Sequence, residues 1–214
     1  MIRHLLFDMG GVIFTQNTQE AFKRFKAIGL DPDYYMGEYG QKDFFLDVET
    51  GKISADDFVK KVAEVRDDNS LGRDDLLQCW LGFFDGVRNK VVEDLDILHR
   101  DYHLCLLSNT NPFIMSHTKS KAFTTEGRPI TDFFDTLFLS YEMGICKPDT
   151  RIFLKALQME QMKAEECLFI DDSRKNTEAA EKVGIHTLFV PSNSDWMPAL
   201  EERLRELNEK APTK

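Results

Sequence analysis

Asp8 closes an apolar run, Ile2-Arg3-His4-Leu5-Leu6-Phe7, and is followed by Met9-Gly10-Gly11-Val12-Ile13-Phe14. An apolar segment that stops at a carboxylate and a double glycine reads as a buried strand feeding a tight loop. In an open parallel sheet, ligands sit just beyond the carboxyl ends of the strands, so Asp8 would face the place where such sheets do chemistry. Glycines beside it let a bulky anion approach the backbone. Three further sites of the same kind follow. Leu106-Leu107-Ser108-Asn109-Thr110 ends in a hydroxyl and an amide. Cys146-Lys147-Pro148-Asp149 places a lysine after a strand and a loop, just before a helix. Phe169-Ile170-Asp171-Asp172-Ser173 ends in paired carboxylates, with Asn176 one helical turn on. Singly, each has an ordinary explanation: a turn-forming Asp8, a helix cap at Ser108-Asn109, a surface charge at Lys147, a turn or cap at Asp171-Asp172. As a set they are complementary. One carboxylate can attack, a hydroxyl and a cation can hold phosphate oxygens, and an acidic pair can hold Mg²⁺.

These groups need a scaffold that gathers strand ends. Buried strands are expected at residues 5–8, 104–108, 136–140 and 168–171, with a fifth at 187–190 ending at Pro191. Helical patterns lie between several of them: Ile152-Phe153-Ala156-Leu157 has helical spacing, and residues 177–183 are rich in helix formers. Strands alternating with helices predict an α/β fold with a parallel sheet. The stretch 15–87 breaks the alternation. Its apolar residues recur at helical spacing (Ala21-Phe22-Phe25, Phe44-Phe45-Val48, Phe58-Val59-Val62-Val65, Leu76-Leu77-Trp80-Leu81), and Ser54 ahead of Asp56-Asp57 marks a helix start. A helical cap is therefore expected at 15–87, inserted into a core of 1–14 and 88–214. Residues 66–72 read as a solvated turn between cap helices. Tyr34, Tyr35, Tyr39, Phe44 and Phe45 read mainly as cap core, with pocket lining as the other use. Leu200, Leu204 and Leu207 share one face of a C-terminal helix, and residues 211–214 are expected to fray.

Composition narrows the partners. The chain of 214 residues is 42% apolar, enough for one substantial core with a small appended domain. Its net charge is −10, which argues against nucleic-acid binding, because a phosphate backbone requires a basic surface. Cys79, Cys105, Cys146 and Cys167 are scattered, with no C-x-x-C pair, so neither a zinc site nor a redox motif is suggested and a reducing, cytoplasmic setting is expected. No apolar run approaches transmembrane length, and the N-terminal run lacks the marks of a signal peptide. No histidine looks catalytic: His4, His99, His103, His117 and His186 show no metal-ligand spacing.

The order and spacing of the four polar strand ends resemble the haloacid dehalogenase superfamily, in which an Asp nucleophile, a Ser/Thr, a Lys and an acidic pair arrive in that sequence. The resemblance covers nearly the whole chain. Phe7-Asp8-Met9-Gly10-Gly11-Val12, Leu107-Ser108-Asn109-Thr110-Asn111 and Gly144-Ile145-Cys146-Lys147-Pro148-Asp149-Thr150-Arg151-Ile152 are similar to bacterial sugar-phosphate phosphatases of the α-D-glucose-1-phosphate phosphatase type. The resemblance implies a Rossmann-like core with helices on both faces and a C1-type cap. It also implies a Mg²⁺-dependent hydrolysis of small phosphorylated metabolites such as hexose-1-phosphates. Asp8 would attack phosphorus and form an aspartyl-phosphate. Ser108 would hydrogen-bond a phosphoryl oxygen with Asn109 close by, and Lys147 would neutralise charge. Asp8, the Gly10 carbonyl and Asp172 would hold the ion, with Asp171 acting through water and Asn176 orienting Asp172 or a bound water.

Gly10 departs from the family pattern. Most phosphatases of the superfamily carry a second Asp there as general acid/base, a contribution worth about 10²–10⁴-fold. Turnover of unactivated alkyl phosphates should suffer, and the more acidic anomeric oxygen of a sugar-1-phosphate should suffer less. Other readings are a metal-free haloacid dehalogenase, a non-catalytic binder of a phosphorylated ligand, and a phosphate-moving mutase. The first lacks an Arg soon after the first motif, since the first after Val12 is Arg24. The last would need the group that Gly10 removes. Tyr39, Lys42 and Trp80 read either as cap residues facing the site or as packing residues, and a monomer or homodimer fits, since no heptad pattern favours more.

Overall fold

The computed structural model describes residues 1–37 and 40–209. Five strands form one parallel sheet: β1 (His4–Phe7), β4 (His103–Ser108), β5 (Thr136–Leu139), β6 (Cys167–Asp171) and β7 (His186–Phe189), in the order β5-β4-β1-β6-β7. β1 is central and pairs in register with β4 on one side and β6 on the other, His4 lying opposite both His103 and Cys167. Two short strands, β2 (Met36–Gly37) and β3 (Gly40–Gln41), pair antiparallel elsewhere.

The strands are apolar on both sides because both sheet faces are covered. Leu5, Phe7, Leu104, Leu106, Leu168 and Ile170 point to one face, and Leu6, Cys105, Leu107, Cys167 and Phe169 to the other. The second face carries Ile152, Phe153 and Ala156 of α9 (Thr150–Met159) and Ala179 and Ala180 of α10 (Arg174–Glu181). The first carries Val91, Val92, Leu95 and Leu98 of α6 (Asn89–Leu98), Phe113 and Ile114 of α7 (Pro112–Thr118), and Leu200 and Leu204 of α11 (Met197–Glu209). Each fully buried Leu or Phe of this kind contributes of order 2 kcal/mol. The expected α/β sheet with helices on both faces is what the chain forms. Three strand ends shift by one residue: Asp8 follows β1 instead of ending it, Ser140 opens α8 (Ser140–Met143) instead of ending β5, and Val190 falls outside β7. The C-terminal residues expected to fray lie outside the described residues.

Between β1 and α6 the chain is helical: α1 (Thr18–Ala27), α2 (Pro32–Tyr35), α3 (Asp43–Glu49), α4 (Ala55–Arg66) and α5 (Arg73–Trp80). Ser54 caps α4, its hydroxyl accepting from Asp57 N at 3.1 Å, and α4 stops at Asp67 in the left-handed region (φ 51). The interior of this segment is aromatic. Phe45 stands 5.4 Å from Phe25, 5.0 Å from Phe58 and 4.8 Å from Tyr35 between ring centroids. Tyr35, Phe44 and Phe45 are thus packing residues, whereas Tyr34 is exposed and donates to Asp43 at 2.9 Å. Lys42 is exposed over the Tyr34 ring, and Tyr39 lies outside the described residues. Phe113 of α7 meets Phe58 and Trp80, so one apolar cluster runs from the sheet into the helical segment. The chain enters and leaves this segment side by side: Thr15 N donates to Gly86 O and Asp85 N to Thr15 O, both at 2.9 Å.

Candidate active site

Asp8, Ser108, Asp171 and Asp172 all stand at the carboxyl ends of the three central strands, because parallel pairing in register brings those ends to one edge. Asp8 follows β1 directly and its N–H donates to Ile170 O at 2.9 Å. The turn after it requires Gly11 at φ +78. A side chain there would also collide with the Asp172 carboxylate, since a Cβ would lie 2.4 Å from Asp172 Oδ2. Gly10 has no such backbone demand, and its neighbour is the flexible Gln16 side chain.

Lys147 reaches the same point from the loop between α8 and α9. Asn109 clamps that loop: its Oδ1 accepts from Lys147 N at 2.8 Å and its Nδ2 donates to Lys147 O at 2.9 Å. Asn109 therefore sits behind the lysine, with both ends of its amide engaged. The lysine is buried, and its ammonium donates to Asp8 Oδ1 (2.7 Å), Leu107 O (2.8 Å) and Asp171 Oδ2 (2.7 Å). An ammonium has three protons, so all three are committed. Lys147 is thus no surface charge; it joins the nucleophile candidate to the acidic pair.

The acidic pair divides its work. Asp171 is fully buried; besides Lys147 it accepts from Ser173 N at 2.7 Å and, on both oxygens, from Asn176 Nδ2 at 3.1 Å. Asn176 consequently orients Asp171, where the resemblance implied Asp172 or a bound water. Asp171 anchors the lysine directly. Asp172 is half-buried beside Gly11 and Ser192. Carboxylate oxygens of Asp8, Asp171 and Asp172 lie within 4.8 Å of one another.

Burial pushes the Asp8 carboxyl up to about 7, with Lys147 pulling against it and the two neighbouring carboxylates adding to the rise. Burial also opposes the charge on Lys147, but Asp171 and Asp8 outweigh it and hold the ammonium above the ordinary lysine range. Asp172 is raised by burial, with a hydrogen bond from Ser192 opposing. Three carboxylates facing one ammonium leave negative charge in excess, which suits a small hard dication with oxygen ligands.

A cavity of about 160 Å³ opens on this cluster. Asp8, Met9, Gly10, Ser108, Asn109 and Lys147 line one side. Gln41, Glu49, Trp80 and Phe83 from the helical segment line the other, with Thr110 and Asn111 from the turn after β4 and Ile114 of α7. Among the described residues no protein donor reaches Asp8 Oδ2, so that oxygen is open to the cavity. Ser108 is buried at the cavity wall, and its hydroxyl makes only a long 3.3 Å contact to Asn109 O.

Glu49 and Thr110 are lining residues that the sequence did not single out. Glu49 is 4% exposed and burial pushes its carboxyl up to about 8. It had a signal: Glu49 is four residues after Phe45, so it shares that residue's inward face.

Residues 2–184 match the family described as haloacid dehalogenase-like hydrolase. The D-ribitol-5-phosphate phosphatase of Bacteroides thetaiotaomicron is 36% identical over 201 residues, spanning 94% of this chain and 97% of that protein. The structure of a HAD-like family hydrolase from Porphyromonas gingivalis superposes with a TM-score of 0.90 at 37% identity, covering 96% of this chain and 98% of that one. A HAD family enzyme of Bacteroides thetaiotaomicron, solved as an aspartate-to-alanine mutant with magnesium and inorganic phosphate, superposes with a TM-score of 0.86 at 27% identity, covering 94% and 99%. The chain belongs to the haloacid dehalogenase-like hydrolases.

Proposed function

We propose that this hydrolase is a magnesium-dependent phosphatase of small phosphorylated sugars and sugar alcohols, working through an aspartyl-phosphate. The observation that carries the reading is the Lys147 ammonium held 2.7 Å from both Asp8 and Asp171, beside Asp172, at the floor of a small polar cavity. The names of the relatives, a sugar-alcohol phosphate phosphatase and an enzyme with magnesium and phosphate, support it.

In this reading Asp8 attacks phosphorus through the oxygen facing the cavity, and the P–O bond to the leaving alcohol breaks. Water then cleaves the acyl phosphate and releases Asp8 and inorganic phosphate. Lys147 keeps Asp8 ionised when substrate charge arrives and stabilises the phosphoryl oxygens, while Ser108 donates its weakly engaged hydroxyl to one of them. Asn109 and Asn176 are positioning residues: the first fixes the Lys147 backbone, the second fixes Asp171. Asp8, the Gly10 carbonyl and Asp172 would hold magnesium, with Asp171 behind them. When bound, the ion supplies positive charge to the phosphoryl group being transferred. Residues 15–87 act as the cap over a core of 1–14 and 88–214, contributing the wall opposite Asp8.

The test is inorganic phosphate release across hexose-1-phosphates, pentitol phosphates and simple alkyl phosphates. Release should require Mg²⁺ and vanish with EDTA. Metal-independent release of halide from 2-haloacids, with no phosphate released from any ester, would replace this reading with a dehalogenase.

Gly10 gives a sharper expectation. Its backbone tolerates a side chain if Gln16 moves aside. Gly10→Asp should raise kcat on n-alkyl phosphates relative to aryl phosphates by about 10-fold or more, part of the 10²–10⁴-fold that general acid catalysis supplies. An unchanged ratio would mean that another group already protonates the leaving alcohol.

A further inference from the structure

We propose that Glu49, with Thr110 and Trp80, is the hydroxyl-recognising element of the cavity and selects a polyhydroxylated leaving group. This rests on the phosphatase reading and names the part of the substrate that the phosphate machinery does not touch.

Buried polar atoms are normally paired. Among the described residues seven buried side-chain nitrogens and oxygens have no partner, and three belong to residues lining this one cavity: Glu49 Oε2, Thr110 Oγ1 and Trp80 Nε1. None of the three is used by the phosphate cluster. Leaving them unpaired costs the folded protein stability, and an apolar residue at 49 would avoid the cost.

Glu49 is also firmly placed. It ends α3, and the chain then turns through Gly51 at φ +68, where a Cβ would lie 2.0 Å from Tyr141 O. Cys146 Sγ contacts Glu49 O at 3.7 Å, so the end of α3 is docked on the loop that carries Lys147. The carboxyl is therefore held in register with the catalytic lysine while coming from the helical segment.

The chemistry of the three groups defines the ligand. A buried carboxyl kept protonated donates and accepts, a threonine hydroxyl does both, and an indole N–H only donates. A partner that satisfies all three must offer acceptors and donors together, which adjacent hydroxyls do. An alkyl chain would leave all three unpaired. An ammonium would pair with Glu49 but offer nothing to Trp80.

The experiment uses a matched set of esters: a pentitol 5-phosphate, n-pentyl phosphate and 5-aminopentyl phosphate, with wild type, Glu49→Gln and Glu49→Leu. Wild type should prefer the pentitol ester. Glu49→Leu should reduce the pentitol-to-pentyl ratio of kcat/KM by about 10–100-fold, chiefly through KM, because one buried hydrogen-bonding partner is lost. Glu49→Gln, which still donates and accepts, should keep most of the preference. Glu49→Leu removes an unpaired buried oxygen together with the hydrogen bond to Gln41, so the thermal midpoint should stay close to that of wild type. Calorimetric binding of the pentitol ester and of inorganic phosphate to Asp8→Asn protein, with and without Glu49→Leu, repeats the comparison without turnover. If no ester is hydrolysed, the phosphatase reading fails, and the calorimetric ratio still decides this one. Equal losses on pentitol and pentyl esters, an unchanged ratio, or a preference for the aminopentyl ester would overturn it.

Discussion

Asp8→Asn is expected to lower phosphate release by at least about 10⁴-fold, the loss typical of removing a nucleophile from a group of residues that act together. The amide has the same shape and its oxygen can still accept from Lys147, so the loss would report chemistry and not misfolding. Acid-quenched wild type incubated with labelled substrate should retain covalent phosphate, and the variant should retain none. A stability signature should accompany this. Burial raises the Asp8 carboxyl to about 7 in the protein without metal. A carboxyl raised above its unfolded value has its full contribution at low pH and loses it as pH rises toward the folded value. Wild type without Mg²⁺ should therefore lose up to about 4 kcal/mol between pH 4 and pH 8 through this group, an upper bound set by the size of the shift. Asp8→Asn should show a flatter midpoint across that window in EDTA. Phosphate release within 10-fold of wild type would remove Asp8 as the nucleophile.

Lys147→Met is the second large expectation, because it should damage both fold and function. Lys147 is buried, and its two carboxylate partners are an almost enclosed Asp8 and a fully enclosed Asp171. Removing one member of a buried, hydrogen-bonded charge group costs about 3–5 kcal/mol, much of it from the charge left behind. Leu107 O loses its donor as well. Proton uptake by Asp8, which burial already favours, relieves part of that cost. The destabilisation, read from urea unfolding, should therefore be greatest at pH 8 and shrink toward pH 5. Phosphate release should fall by about 10³-fold or more at any pH where the variant is folded, since the charge that steadies the phosphoryl oxygens is gone. A variant as stable as wild type at pH 8 would contradict the triple engagement of this ammonium.

Much of this was legible before the fold. Apolar runs that stop at Asp8, Ser108 and Asp171 are local patterns, and so are the glycines after Asp8. Short-range chemistry decides where a strand stops, so those ends were placed to within a residue. Ser140 was misread because an apolar run continues into it. Its hydroxyl instead accepts from Thr110 N at 2.9 Å, a partner 30 residues away that favours a turn at that point.

Partner choice inside the site was not legible. Lys147 and Asp8 are 139 residues apart, and local pattern alone does not separate Lys147 from a solvated lysine at the start of a helix; it was the family resemblance that implied a charge partner for Asp8. The resemblance implied that Asn176 orients Asp172 or a bound water, yet the strand end turns Asp171 inward and Asn176 donates to it. Glu49 is one of 37 acidic residues, and helical spacing from Phe45 places it on the buried face without saying what it faces. By itself, the sequence determined the kind of sheet, the strand ends and the set of groups available for chemistry, because these follow from side-chain type and period along the chain. Only the tertiary structure decided which groups pair, which are left unpaired and which face the cavity, because those depend on contacts between segments that local periodicity does not encode.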